Sequence, residues 1–386
     1  MNVVLTTDYF PPHIGGVETV TFELARRLSQ MGHKVAVITL STDNTIPIEK
    51  INDVKVYRAK SHETTRILGV QSAFSSQMGN LIRSVCKKER ADVLHANNLF
   101  YFTTIAATAS KKSLKLPLVT TLHIGSISQL DGGVRLLTRI YERSIGRWIL
   151  NQSDHVVAVS NAVRTYARGL DVADSKISVI PNGVDLQENR PNYTHRYIDG
   201  RVRVAFVGRL ISNKGPQYLV EAAPTVLRDL SAVEFLFVGE GPMLHALRSR
   251  VKELGISESV QFLGAVPNIS TLLRECDIYV RPSLTEGMPL TVLEAMACGV
   301  PTVATRIDGT TEILINEDTG FLVDPKNAQQ LAFYISKLVG DCELRMRMGR
   351  RARESVEKHN DWNSVATQMS RIYESVLMRS LSPLAV

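Results

Sequence analysis

The chain has 386 residues, of which 44% are hydrophobic and 22% are charged, and its formal net charge is +7. This length predicts two domains that can each bury a core, and the composition excludes intrinsic disorder. Basic residues are spread along the chain without a zinc finger, an RNA-recognition signature or a basic tail, so we expect no nucleic acid partner. The four cysteines lack metal-ligand spacing, and no segment predicts a signal peptide or a membrane span.

Short β-branched runs alternate with longer amphipathic segments in the first half of the chain. The predicted strands there are Asn2–Thr6, Lys34–Thr39, Val54–Arg58, Val93–His95, Leu118–Leu122, His155–Val159 and Ile177–Ile180. Among the segments between them, Thr19–Gln30 predicts a helix, because its apolar residues recur on one face and a glycine follows its end.

The second half repeats the alternation. Its predicted strands are Arg203–Val207, Glu234–Val238, Val260–Phe262, Ile278–Val280, Pro301–Ala304 and Gly320–Val323. Strand–helix–strand repetition with nearly continuous apolar strands predicts an α/β protein, in which helices cover both faces of each parallel sheet.

The domain boundaries follow from a change in composition. Residues 186–200 are polar, contain Pro191 and Gly200, and lack periodicity, which is typical of a linker. We therefore expect one domain over residues 1–185 and a second over residues 201–361. Residues 362–380 have a helical pattern, and we expect this helix to pack back on the first domain.

Ligands of open α/β sheets bind beyond the carboxyl ends of the strands. His123 follows the fifth predicted strand, and Gly208 follows the first strand of the second half. Gly15 and Gly16 precede a helix, where glycines allow an anion to approach free N–H groups, although a structural turn is the alternative. The spacing matches neither the dinucleotide fingerprint nor a P-loop.

Arg209 and Lys214 flank a predicted tight loop. Two cations five residues apart can hold a diphosphate from two sides, and two solvated loop charges are the alternative. The most informative segment runs from Glu286 to Glu294, where Pro289 and an apolar run predict a buried helix. A glutamate inside that helix needs a partner, which would be either ribose hydroxyls or an arginine.

At these residues the sequence resembles the retaining glycosyltransferases of family 4, which have the GT-B fold. The matching motifs, in order, are YFPPHIGGVE, GHKVAVIT, VVAVSNAV, IPNGVD, FVGRLISNKG, FVGEGP and RPSLTEGMPLTVLEAMACGVPTVAT. The resemblance covers nearly the whole chain and implies two Rossmann-like domains facing a central cleft. It also implies transfer of a hexose-type sugar from a UDP- or GDP-sugar donor to a glycan or lipid-linked acceptor, with retention of configuration.

The resemblance implies roles for individual residues. Arg209 and Lys214 would hold the donor diphosphate, and Glu286 would contact hydroxyls of the transferred sugar. Glu294 would bind the ribose. His123 would lie beside the donor sugar, with a structural histidine as the alternative. The remaining donor-binding set is Gly15, Gly16, Gly208, Gly264, Val266, Gly287, Met288, Pro289, Leu290 and Thr291.

No metal or other cofactor is implied, because arginine, lysine and helix dipoles would neutralise the diphosphate. The sequence has no Asp-x-Asp motif, which agrees with this expectation. One departure from the family pattern is Asp308–Glu312, which stands where many members have Gly-Gly-x-x-Glu. The resemblance therefore leaves the contacts of this loop open.

Gly133–Leu150 combines a basic stripe with large apolar residues. The arginines, each four residues apart, are Arg135, Arg139, Arg143 and Arg147. This pattern suits an interfacial helix on anionic lipid, and a core helix with a solvated arginine face is the alternative. We expect a cytoplasmic protein with peripheral association at the inner face of the membrane.

Two other functions remain open at this point. One is a sugar-nucleotide epimerase on the same two-domain architecture. The other is a non-catalytic scaffold subunit of a membrane glycosylation complex. The complete set of donor-site residues argues against both.

Overall fold

The computed structural model describes residues 1–13, 15–41, 47–63, 73–125, 132–192, 200–230 and 232–381. The chain forms two compact units. The first comprises Met1–Asn182 together with Trp362–Val386, and the second comprises Gly183–Asp361.

The first unit is built on an eight-stranded sheet with the order β10-β9-β8-β7-β1-β2-β4-β3. Its strands are β1 (Asn2–Thr6), β2 (Lys34–Ser41), β3 (Ile48–Ile51), β4 (Val54–Lys60), β7 (Val93–Asn97), β8 (Leu118–Leu122), β9 (His155–Ala158) and β10 (Ile177–Val179). All neighbours pair in parallel except β3 and β4, which are antiparallel. A separate antiparallel pair is formed by β5 (His62–Glu63) and β6 (Ala73–Phe74).

Helices cover this sheet. They are α1 (Gly16–Gln30), α2 (Met78–Lys88), α3 (Phe102–Leu114), α4 (Gly132–Tyr141), α5 (Arg147–Gln152), α6 (Asn161–Gly169) and α14 (Trp362–Leu381). A π-helical turn, Glu142–Gly146, joins α4 to α5. Helix α14 belongs to the first unit, where its Tyr373 hydroxyl lies 2.7 Å from His95 Nδ1 in β7.

The second unit has a six-stranded sheet with the order β13-β12-β11-β14-β15-β16, and all its strand pairs are parallel. The strands are β11 (Val202–Val207), β12 (Val233–Val238), β13 (Val260–Gly264), β14 (Ile278–Arg281), β15 (Thr302–Thr305) and β16 (Gly320–Val323). The helices are α7 (Pro216–Asp229), α8 (Leu244–Glu253), α9 (Ile269–Arg274), α10 (Leu290–Ala297), α11 (Asp308–Thr311), α12 (Ala328–Gly340) and α13 (Cys342–His359).

The predicted α/β class with two parallel-sheet domains is confirmed, and each predicted strand agrees with the structure within two residues at either end. The sequence missed β3, β5 and β6, which are short edge elements with few buried residues to mark them. Helix α1 begins at Gly16, three residues before its predicted start.

The linker was predicted at residues 186–200, and the structure corrects where it begins. The backbone from Gly183 to Asn192 packs on the second unit, where the Arg353 guanidinium donates to the carbonyl oxygens of Leu186 and Asn189 at 3.2 and 2.6 Å. A polar, aperiodic segment is thus fixed by contacts that no local pattern reveals. Residues 193–199 of that linker lie outside the described residues. No helix in the described ranges is long and apolar enough to cross a bilayer.

Candidate active site

The residues of the second unit that carry the predicted chemistry gather where the strand order reverses. Strand β11 lies between β12 and β14, so the loops after β11 and β14 open at the same edge of the sheet, which is the usual ligand position in such sheets. Gly208 and Arg209 follow β11, and Glu286 lies in the loop after β14.

The two loops are in close contact. The Leu284 N–H donates to the Asn213 carbonyl oxygen at 2.8 Å. Gly215 has a φ of +75°, and a side-chain carbon on it would overlap the Pro282 carbonyl group. Only glycine allows both this conformation and this approach. The turn Ser212–Lys214 therefore presents Lys214 directly towards the loop that carries Glu286.

Glu286 accepts hydrogen bonds from two cations. Lys214 Nζ lies 2.9 Å from both carboxylate oxygens. Arg281, the last residue of β14, places its Nε and Nη2 at 3.0 and 2.6 Å from Oε1. The Arg281 Nη1 also donates to the Val207 carbonyl oxygen at 2.7 Å. Arg281, which the sequence analysis missed, thus ties β11, β14 and Glu286 together.

This cluster holds Glu286 in its ionised form. Burial alone would raise the pKa of Glu286, but Arg281 and Lys214 outweigh burial and lower that pKa to about 2. Burial lowers the pKa of Lys214, and Glu286 opposes that effect. The Arg209 side chain is exposed and, in the part of the second unit that the structure describes, its guanidinium forms no hydrogen bond or ion pair.

The two predicted diphosphate contacts therefore differ. Arg209 is available to a ligand as it stands, whereas Lys214 is engaged with Glu286. If Lys214 turned towards a diphosphate, Glu286 would keep Arg281 as its counter-charge. The carboxylate would then stay compensated, which a buried charge requires.

Glu294 lies inside α10, as predicted from its neighbours. Its Oε2 atom is buried and has no hydrogen-bond partner among the residues that are described. Burial raises the pKa of Glu294 to about 7, with Glu188 adding to the rise and Arg281 opposing it. Of the two partners that the sequence left open, no arginine in the described ranges is hydrogen-bonded to Glu294, so this oxygen can still accept a bond from a ligand hydroxyl.

The other predicted donor-binding residues of the second unit lie at the start of α10 and at the end of β13. Gly287, Met288 and Pro289 are buried before α10, and Leu290 and Thr291 begin the helix. The Thr291 hydroxyl accepts a hydrogen bond from the Tyr279 hydroxyl at 2.7 Å. Gly264 ends β13 with its carbonyl oxygen 2.7 Å from Gly239 N, and half-buried Val266 follows in the loop.

The loop Asp308–Glu312, which departs from the family pattern, packs against the loop that carries Glu286. Its first four residues form the short helix α11. A side chain at Gly309 would overlap the backbone of Glu286 and Gly287. A glycine at this position thus lets α11 press against the loop that carries the carboxylate.

In the first unit, His123 lies just beyond β8 and is buried. Its Nε2 is 3.2 Å from Asn97 Oδ1, and burial lowers the pKa of His123 to about 4, so the ring is neutral at pH 7. Gly15 is the residue before α1, and Gly16 is its first residue. The first turn of α1 also carries Glu18, whose carboxylate lies against Gly15.

Asp8 is a residue of the first unit that the sequence analysis did not single out. Its carboxylate accepts from the Phe102 and Thr103 N–H groups at 2.9 and 2.8 Å, and so satisfies the start of α3. Burial raises the pKa of Asp8 to about 6, against the lowering effect of these hydrogen bonds. The signal that the sequence offered for this residue was an acidic side chain two positions after the first strand. No described group of three or more His, Cys, Asp or Glu could hold a metal ion.

The chain is similar over nearly its whole length to named proteins of yeast and of a bacterium. The chain is 26% identical to the phosphatidylinositol N-acetylglucosaminyltransferase GPI3 subunit of Saccharomyces cerevisiae, over 97% of this chain and 83% of that protein. It is 29% identical to the N-acetyl-alpha-D-glucosaminyl L-malate synthase of Bacillus anthracis, over 95% of each chain.

Solved structures share the fold. Sucrose-phosphate synthase from Thermosynechococcus elongatus has a TM-score of 0.81 at 21% identity, covering 98% of this chain and 99% of that chain. HepE from Anabaena in complex with UDP-glucose has a TM-score of 0.80 at 19% identity, covering 97% of this chain and 100% of that chain.

Family models match both units. The model for Glycosyltransferase Family 4 matches residues 14–188, and the model for Glycosyl transferases group 1 matches residues 195–355. The two matches together cover most of the chain, and the solved structures agree on the fold. The chain therefore belongs to the family 4, group 1 glycosyltransferases and has the GT-B fold.

Proposed function

We propose that this glycosyltransferase moves a hexose-type sugar from a UDP- or GDP-sugar donor to a glycan or lipid-linked acceptor, with retention of configuration and without a metal ion. We place it in the cytoplasm, at the inner face of the membrane. The observation that carries the donor assignment is the buried Glu294 oxygen, which has no partner among the described residues and lies in the same unit as an exposed Arg209 whose guanidinium is bonded to none of them.

The charges around the loops after β11 and β14 favour a diphosphate as the bound group. Arg209, Lys214 and Arg281 bring three positive charges, and Glu286 brings one negative charge, which leaves a net charge of two positive. Developing negative charge on a leaving diphosphate would be stabilised by such fixed cations, which supply the neutralisation that a metal ion provides in other sites. We assign His123 a place beside the donor sugar, where its neutral ring could accept or donate a hydrogen bond.

The relatives support the substrate classes. The yeast and Bacillus anthracis proteins are both named for N-acetylglucosaminyl transfer or synthesis, which favours a hexose or N-acetylhexosamine as the transferred group. The yeast protein is named for phosphatidylinositol as acceptor, which favours a lipid-linked acceptor here. HepE was solved with UDP-glucose, and this favours UDP over GDP.

The test is thermal stability in the presence of UDP, GDP, ADP and their common sugar conjugates. A ligand that binds only the folded protein raises the midpoint by mass action. We expect a shift with one base, its loss in Lys214→Ala, and its retention in Lys252→Ala, which removes an exposed lysine of α8.

The outcomes separate the alternatives. No shift with any nucleotide would contradict the proposal and favour a scaffold. A change in the donor sugar without an acceptor would favour an epimerase. With an acceptor identified, the anomeric configuration of the product, read by NMR, tests retention.

A further inference from the structure

Two polar residues of neighbouring strands meet at one edge of the first sheet. Asn97 ends β7, and His123 follows directly after β8. The two strands pair in parallel with Asn97 opposite Thr121, so Asn97 and His123 lie on the same face of the sheet. Both are buried, with exposed fractions of 1% and 6%. Buried polar atoms need hydrogen-bond partners, so the contact between these two side chains determines what each can still bind.

The surroundings of the Asn97 amide allow it one orientation. Its Nδ2 donates to the Thr6 carbonyl oxygen of the neighbouring strand β1 at 3.3 Å. If the amide were turned over, its own oxygen would face that carbonyl oxygen, and two acceptors would oppose each other. The Asn97 Oδ1 atom is therefore the one that faces His123, whose Nε2 lies 3.2 Å away.

This orientation decides which ring nitrogen of His123 has the proton. An amide oxygen can only accept, so His123 Nε2 must be the donor. Burial lowers the pKa of His123 to about 4, and a neutral ring has a single N–H. Nδ1 is left with a lone pair, and it forms no hydrogen bond with any residue that the structure describes. At pH 7 this nitrogen can accept a hydrogen bond but cannot donate one.

The residue type at position 97 is what selects this state of the ring. A carboxylate in the same place would favour the imidazolium form of His123, in which both nitrogens donate. A hydroxyl could either donate or accept, and would leave both neutral tautomers open. An amide held by a backbone carbonyl group accepts without adding charge, so it favours one neutral tautomer.

The second buried histidine of this sheet face has a different kind of partner. His95 Nδ1 lies 2.7 Å from the Tyr373 hydroxyl, and His95 Nε2 lies 2.7 Å from the Thr121 hydroxyl. Both partners can donate or accept, so neither of them selects a tautomer of His95. Thr121 is thus a matched control for Asn97, because it lies opposite Asn97 and is bonded to the other histidine.

We propose that Asn97 is a positioning residue that holds the proton of His123 on Nε2, so that Nδ1 accepts a hydrogen bond from a hydroxyl or amide N–H group of the transferred sugar. The part of this inference that concerns the sugar rests on the proposed function, which places His123 beside it. A substituent that cannot donate, such as fluorine in place of that hydroxyl, would leave Nδ1 without a partner. The pair would thereby select sugars that carry a donating group at this position.

The tautomer can be measured without any ligand. In the full-length protein with isotope-labelled histidine, nitrogen–proton NMR spectra distinguish a protonated ring nitrogen from one with a lone pair. The signals of His123 are those that disappear in His123→Gln. We expect a protonated Nε2 and an unprotonated Nδ1 at pH 7. A proton on Nδ1, or signals averaged between the two tautomers, would overturn the proposal.

Two replacements of Asn97 test its part in this state. Asn97→Asp should raise the pKa of His123 and place protons on both nitrogens. Asn97→Leu has a similar volume without the acceptor, and should let the proton occupy either nitrogen. The control Thr121→Val should change the signals of His95 and leave those of His123 as they are. Equal changes at His123 in Asn97→Leu and in the control, or none in Asn97→Asp, would show that the amide oxygen does not position the ring.

A second readout concerns the sugar. Calorimetry compares the nucleotide that stabilises the protein with its glucose and N-acetylglucosamine conjugates, and with the deoxyfluoro analogues of the conjugate that binds more tightly. We expect one analogue to bind on the order of fivefold more weakly than its parent, as the loss of one hydrogen bond predicts. This difference should shrink in Asn97→Asp, where Nδ1 can donate to fluorine. The nucleotide alone should bind both proteins equally.

The outcomes distinguish this inference from the proposed function. If no nucleotide or conjugate binds, the proposed function fails, and the spectra of the ligand-free protein still decide whether Asn97 sets the tautomer. If a conjugate binds but every deoxyfluoro analogue keeps the affinity of its parent, Nδ1 does not accept from the sugar. An undiminished difference in Asn97→Asp would contradict the same assignment.

Discussion

Arg281 is the residue whose replacement tests the reasoning about the second unit most directly. Its guanidinium is bonded to Glu286 and to the Val207 carbonyl oxygen, and its side chain is 7% exposed. In Arg281→Met, a chain of similar length packs in the same space without the charge. Glu286 would then keep Lys214 as its single cation.

The expected cost follows from two routes. Removing one partner of a buried ion pair costs about 3–5 kcal/mol. Holding the pKa of Glu286 at about 2, against 4.5 for a free glutamate, corresponds to roughly 3 kcal/mol at neutral pH. Because Lys214 remains, we expect the lower end, about 3 kcal/mol, which lowers a thermal midpoint by roughly 6–12 °C for a unit of this size.

The pH dependence has a definite sign. The folded pKa of Glu286 lies below its unfolded value, so this stabilisation is complete above about pH 4.5 and disappears as the pH falls through about 2. The unaltered protein and Arg281→Met should therefore differ most at neutral pH. Their free energies of unfolding should converge on acidification below about pH 4.5.

Urea unfolding across this pH range is the assay, with two companions. Arg281→Lys keeps the charge but loses the planar pair of donors, so it should lie between the two. Arg250→Met removes a surface arginine paired with Glu221 at 2.7 Å, where both partners are more than 40% exposed, and should have little effect. A loss in Arg281→Met no larger than in Arg250→Met, or a gap that is constant with pH, would refute the account.

Three further changes test other contacts. Glu294→Gln should weaken nucleotide binding in calorimetry. It should also raise the free energy of unfolding above pH 7, because burial raises the pKa of Glu294 to about 7 and its charged form therefore destabilises the folded protein as the pH rises from about 4.5. A lower free energy of unfolding in the variant than in the unaltered protein at pH 8 would contradict this. Gly215→Ala should lose more stability in urea than Gly255→Ala. Both glycines have a positive φ, at which an alanine costs about 1–2 kcal/mol, but only an alanine at 215 would also overlap a carbonyl group. Equal losses would exclude the close approach of Gly215 to that carbonyl group. Tyr373→Phe should cost about 1–3 kcal/mol, since buried His95 loses a 2.7 Å partner, and an unchanged urea midpoint would argue against that bond.

Much of the candidate site was predictable from local sequence. Glycines and charges placed after apolar runs predicted the loops after β11 and β14, and the apolar run after Pro289 predicted α10 with Glu294 inside it. These signals are short in range, because strand and helix periods depend on neighbouring residues. Arg281 gave no such signal, because a single charged residue at the end of a strand does not by itself indicate a buried ion pair.

The sequence by itself determined the α/β alternation, the positions of nearly all strands and the order of the family motifs. Tertiary structure decided how the charges combine: the parallel pairing of β11 with β14 brings Arg281 and Lys214 to one carboxylate and leaves Arg209 exposed. It also decided that the four arginines and five of the large apolar side chains between residues 135 and 148 are exposed, since a four-residue arginine spacing fits a core helix and a surface helix equally well. Pairing and burial depend on residues far apart in the chain, and a local pattern contains no information about which of them meet.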